Sequence, residues 1–186
     1  MERREAVQYI SLLLGGTIVG GGAFLTGCKS DTGTKANFSA DDIAYLDEVA
    51  NTILPDTSTP GAKAAKVGAF MTVMINDCYE EKDQKIFHEG MTKLNDLSKK
   101  THDNSFVKLT DQQKHDLLVT LDAEQKKYSK DKKKEDPAHY FRMMKELTLL
   151  GYFTSEIGCT KARRYIETPG KFEGCVPYKK GDKAWA

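Results

Sequence analysis

This sequence has no excess of either basic or acidic residues. Its 28 Lys and Arg stand against 27 Asp and Glu, a net charge of +1. That argues against a nucleic-acid surface, which needs a clustered basic excess. The one basic stretch, "KKYSKDKKKED" from Lys126 to Asp136, is interleaved with acids and reads as a solvated helix end and loop. Metal-ligand spacing is missing as well. His88, His102, His115 and His139 form no H-E-x-x-H or other close pair. Cys78, Cys159 and Cys175 lack the C-x-x-C spacing of zinc, iron-sulfur or thiol-disulfide chemistry. No stretch alternates apolar and polar residues with turn signals at its ends, so strands are not expected. Without a strand before it, a glycine-rich loop has no dinucleotide to cradle, and no cofactor is expected in this chain. Glu146 and Glu156 are the only carboxylates set among apolar residues, and Glu146 reads as an ion-pair partner of Arg142, Lys145 or a tail arginine rather than an acid-base catalyst. No nucleophile, metal or cofactor constellation emerges, so this chain is not expected to be an enzyme by itself.

An apolar run of the roughly 20 residues that span a bilayer is also lacking. The longest, Leu12 to Leu25, is shorter and carries five glycines, and charged residues including Arg3 and Arg4 precede it. This order of charged, apolar and small-residue segments is that of a signal peptide. "GTIVGGG", Gly16 to Gly22, belongs to that segment and is no phosphate loop. Leu25-Thr26-Gly27-Cys28 resembles the bacterial lipobox, in which the chain is cut before the cysteine and the cysteine is acylated. Several acyl chains make a lasting membrane tether, each buried CH₂ contributing about 0.8 kcal/mol. Arg3-Arg4 resembles the export signal of the twin-arginine route, with Glu2, Ala6 and Gln8 departing from its usual flanks; either export route fits. Residues 1–27 are therefore expected to be a signal peptide and 28–38 a polar tether.

Removing 27 residues leaves 159, enough for one domain with a real core. "FSADDIAYLDEVANTIL" opens with Ser39 and Asp42 in capping-box spacing, continues with Ile43, Leu46, Val49, Ala50 and Ile53 at helical spacing, and stops at Pro55. "PDTSTPG" is a loop by composition. Two further apolar faces follow: Val67, Phe70, Met71, Met74 and Cys78, then Ile86, Phe87, Gly90, Met91, Leu94 and Leu97. Thr110 with Gln113 caps a fourth helix, whose Leu117, Leu118 and Leu121 face inward. A fifth begins near Pro137 and carries "YFRMMKELTLLGYF", apolar almost all round, which predicts the central helix. The fold class is all-α: one small domain of about five helices over 39–157, with an extended, irregular tail over 158–186.

In that tail, Gly158, Pro169, Gly170, Gly174, Pro177 and Gly181 break the chain every few residues, with aromatics between them. With Cys28 acylated, three cysteines remain in an oxidising compartment. An odd number suggests one intrachain pair plus a free thiol, or a bond to another chain.

The segment "KELTLLGYFTSEIGCTKARRYIETPGKFEGCVP", followed by "KAWA", resembles the closing signature of the gluconate 2-dehydrogenase subunit 3 family. "FSADDIAYLDEVANTILPDTSTPGAKAAKVGAFM" is similar to that family's opening helix, loop and second helix. The resemblance implies a small, exported, non-catalytic subunit of a membrane-associated sugar or sugar-acid dehydrogenase. Its catalytic partner would be a separate FAD-dependent oxidoreductase of the glucose-methanol-choline class, often joined by a cytochrome c, in the cell envelope and facing the periplasm. The small subunit would carry the folded flavoprotein through export and stay bound to it. On that reading Tyr152, Phe153, Tyr165, Phe172, Tyr178 and Trp185 are candidate partner anchors, with folding back over the fifth helix as the rival. Cys175 is the candidate for a bond to the flavoprotein, with a Cys159–Cys175 bridge as its rival. The alternative function is a stand-alone helical envelope lipoprotein that binds a ligand or scaffolds a complex.

Overall fold

A computed structural model describes residues 38–168 and 170–185. Arg3, Arg4, Cys28, the signal peptide and nearly all of the tether lie outside the described residues. Helix α1, Ala40–Ile53, starts where the capping box predicts. Asp42 N–H donates to Ser39 Oγ (3.1 Å), and Ser39 N–H donates back to Asp42 Oδ2 (2.9 Å). Its Leu46, Val49 and Ala50 are fully buried. The following loop is held by its own polar groups: Gly61 N–H donates to Asp56 Oδ1 (2.7 Å), and Ala62 N–H to the Leu54 carbonyl (2.9 Å).

Helix α2, Val67–Cys78, then crosses α1 at close range. Gly68 permits this approach, because a Cβ there would sit 2.5 Å from the Ile43 carbonyl oxygen, while its N–H donates to Asp47 Oδ1 (2.7 Å). Helix α3, Glu81–His102, contributes Phe87, Met91 and Leu94 to the core. A 3-10 turn, Phe106–Lys108, sinks Phe106 among them, held by a bond from Phe106 N–H to Asn95 Oδ1 (3.2 Å). Helix α4, Asp111–Asp131, is capped by Thr110 and Gln113 as the sequence predicts, and its lysine-rich end runs out into solvent.

Helix α5, Tyr140–Thr154, touches each of the other four helices and is the central element. It begins three residues beyond Pro137, after a turn in which Lys133 N–H donates to Asp136 Oδ2 (2.8 Å) and His139 caps the first turn by accepting from Phe141 N–H (3.2 Å). Burial is less complete than its composition predicts. Leu149, Leu150 and the ion pair Arg142–Glu146 (2.7 Å) occupy an outward edge. Five α-helices make up the described body, with no strand among the described residues beyond one isolated bridge in the tail.

Candidate functional site

The tail leaves the body later than its glycines predict. A π turn, Gly158–Ala162, still packs on α5, with Gly158 buried and Ala162 against the core. No larger residue fits at 158, where a Cβ would run into the Tyr152 carbonyl. Arg163 then folds over the end of α5: its guanidinium lies 5.0 Å from the Phe153 ring centre and donates to the Phe153 carbonyl.

This arrangement divides the six candidate anchors. Tyr152 is only 5 % exposed, and its O–H donates to the Pro60 carbonyl (2.7 Å), so it joins α5 to the loop after α1 instead of facing a partner. For Tyr152 the rival reading describes the structure, the ring sealing this domain's own core, because α5 runs through it and helical spacing points it inward. Phe153 is half-buried, packed edge-on against Tyr152 at 5.2 Å and covered by Arg163. The other four are surface residues, with Phe172 95 % exposed, Tyr178 78 %, Tyr165 56 % and Trp185 49 %. Ile166 and Val176 are also exposed, so much of the exposed large apolar surface of the described residues lies in this short segment. Concentrations of this kind mark interaction surfaces, and aromatic anchors on them supply a large share of binding energy.

The tail is not loose at its ends. Arg164 N–H donates to the Ala184 carbonyl (2.8 Å), Arg164 and Trp185 form an isolated parallel bridge, and the Arg164 guanidinium lies 4.3 Å from the Trp185 ring centre. Sequence reasoning missed Arg163 and Arg164. The pair "RR" beside "Y" and the distant "AW" was visible, but which ring each arginine covers is set by the chain's return path.

Cys78, Cys159 and Cys175 are free thiols in the structure. A Cys159–Cys175 bridge is not formed: Cys159 lies in the π turn with its S–H on the Phe153 carbonyl (3.3 Å), while Cys175 is exposed on the tail.

Elsewhere several charged side chains are engaged structurally. Glu48 receives Lys63 (2.5 Å) and the buried Lys114 (2.6 Å), tying the loop after α1 to α4. Asp122 accepts from Lys126 and Lys145, both at 2.6 Å, and these bonds hold its carboxyl down to about 2. Glu146 has the ion-pair role predicted for it, with Arg142 as partner. Desolvation lowers the pKa of His88, which stacks on Phe38 at 4.3 Å, and of His139, which stacks on Tyr140 at 4.5 Å. A cleft of about 380 Å³ lies between α1 and α4, lined by Glu48, Asn51, Asp56, Asp111 and Lys114 among others. Among the described residues no three His, Cys, Asp or Glu side chains gather to hold a metal ion, and no helix is long and apolar enough to cross a membrane.

The helical body thus holds several of its charges in structural pairs, and four of the exposed aromatics of the described residues, Tyr165, Phe172, Tyr178 and Trp185, lie on the tail. Residues 40–170 match the family model described as gluconate 2-dehydrogenase subunit 3, and the chain belongs to that family. It is thereby an accessory subunit of a dehydrogenase complex. No curated protein and no solved structure matches it. The match stops at residue 170, so Phe172, Cys175, Tyr178 and Trp185 lie beyond the part matched to the family.

Proposed function

We propose that this chain is a non-catalytic, lipid-anchored accessory subunit of a membrane-associated, FAD-dependent sugar or sugar-acid dehydrogenase of the glucose-methanol-choline class. It aids export and maturation of the flavoprotein and holds it at the membrane, on the periplasm-facing side of the cell envelope. FAD belongs to the partner. The observation that carries the reading is the concentration of exposed aromatics, four of them, on the tail of a chain whose family supplies dehydrogenase subunits. Phe172 and Tyr178 fill pockets on the flavoprotein, while the helical body supplies a rigid base.

At the other end, Cys28 carries the lipid and Arg3-Arg4 directs export of the pair as a folded unit. A folded cargo requires an exporter for folded proteins, which the paired arginines would recruit.

The decisive experiment is affinity purification of the tagged full chain from its native envelope. A large partner with flavin absorbance in near-equal amount is expected. Recovery of the chain alone, with neither flavin nor partner, would sink the proposal and favour a stand-alone envelope lipoprotein. For the anchor, mass spectrometry of the membrane-bound chain should find an acylated N-terminal Cys28, and Cys28→Ala should move the chain and its flavin absorbance to the soluble fraction. An unmodified Cys28 in membrane-bound material would remove the lipid from the account.

A further inference from the structure

The two ends of the tail are fastened to each other and to the body, whereas its middle is fastened to neither. At the base are the bond from Arg164 N–H to the Ala184 carbonyl, the Arg164–Trp185 bridge and the guanidinium stacked on the indole. Lys183 Nζ adds a bond to the Lys161 carbonyl at the edge of the π turn. Between these points the fastenings are internal: Asp182 closes a turn by accepting from Lys179 N–H (3.0 Å), and Lys171 pairs with Glu173 (2.6 Å). Phe172 and Tyr178 stand on this middle portion, with Val176 half in solvent between them.

An open segment loses chain entropy when it is ordered against a partner, and one whose ends are already joined has less left to lose. A guanidinium over an indole face is attractive even at a solvated site. The backbone bond from Arg164 N–H to the Ala184 carbonyl lies beside it and joins the two arms of the tail at the base. We propose that Arg164 and Trp185 form a latch that closes the tail in the free subunit into a docking loop for the catalytic subunit of the dehydrogenase. Phe172, Val176 and Tyr178 then meet that partner from a fixed base. The inference rests on the tail-docking reading above. Arg164 and Trp185 are positioning residues within it, acting on affinity through the shape of the loop, and one face of the Trp185 ring is already taken by Arg164.

The test compares full chains carrying R164A, W185A, both changes together, or F172A, and a chain ending at Arg163. Each is measured for affinity towards the catalytic subunit co-expressed with the full chain, and for amide hydrogen exchange in the free state. R164A and W185A are each expected to weaken binding about tenfold. The double variant should be no weaker than either single one, since each change opens the same latch. In the free variants the amides of residues 170–183 should exchange faster, with the rates of α1 to α5 unchanged. Additive losses with unchanged exchange in the free chain would make both residues direct partner contacts and overturn the latch. Full affinity in R164A and W185A beside lost affinity in F172A would also overturn it, leaving tail docking intact. Full affinity in the chain ending at Arg163 would overturn tail docking and the latch together.

Discussion

The helical body and the tail use the same residue type in opposite ways. In the body, Phe87, Phe106 and Phe141 are sealed among five helices, whereas in the tail Phe172 is 95 % exposed. Body phenylalanines face side chains from several helices, so their removal leaves voids. Phe172 touches little that would notice its loss. The contrast separates two regions: the body holds the fold, and the tail leaves its large apolar side chains in solvent.

The largest expected effect tests that separation directly. Phe106→Ala should destabilise the chain by about 3–5 kcal/mol in urea or thermal unfolding, because a buried ring leaves a cavity. Phe172→Ala should stay within about 0.5 kcal/mol of the parent, as surface changes do. A comparable loss in both variants would make the tail part of the core.

A glycine pair sharpens the comparison at smaller scale. A Cβ on Gly90 would collide with the Tyr140 side chain where α3 meets α5, so Gly90→Ala should cost about 1–3 kcal/mol by overpacking. On Gly174 it would meet only the edge of the Phe172 ring at 3.1 Å, and that exposed ring is free to turn. Gly174→Ala should therefore leave the unfolding midpoint almost unchanged, and a large shift there would contradict the picture of a loosely packed middle to the tail.

Tyr152 stands where the two regions meet. Tyr152→Phe removes the bond to the Pro60 carbonyl and should cost about 1 kcal/mol in stability. Its affinity for the dehydrogenase partner should stay unchanged, because the ring belongs to the body. A selective loss of affinity would return Tyr152 to the docking surface.

The smallest expected effect is seen in acid. Bonds from Lys126 and Lys145 hold the Asp122 carboxyl at about 2, below the ordinary 3.8. A carboxyl depressed in the folded state adds stability that is full above its unfolded value near 4 and is lost as pH falls through about 2. Urea midpoints measured from pH 5 to pH 2 should fall less steeply in Asp122→Asn than in the parent. Parallel acid slopes in the two proteins would remove Asp122 from the account of acid stability.

Local sequence was enough to place the starts of α1 and α4 and the apolar faces of the helices. Ser39 with Asp42, and Thr110 with Gln113, satisfy helix-end amides three residues away, so their effect is written within one turn of chain. The same locality made the Arg142–Glu146 pair legible, one helical turn apart. Family membership was legible too, because the matched motifs of the opening helix, its loop and the fifth helix are local strings.

The pairs made across long stretches of chain follow from how the helices pack and how the tail returns. Lys114 lies 66 residues from Glu48, Tyr152 lies 92 from Pro60, and Arg164 meets Trp185 across the whole tail. Nothing in local spacing sets which groups meet over such distances, since that depends on how helices cross and where the chain returns. For this reason Tyr152, an aromatic like the others in the sequence, is a core residue, while Phe172 and Tyr178 face solvent and Trp185 helps to close the loop that presents them.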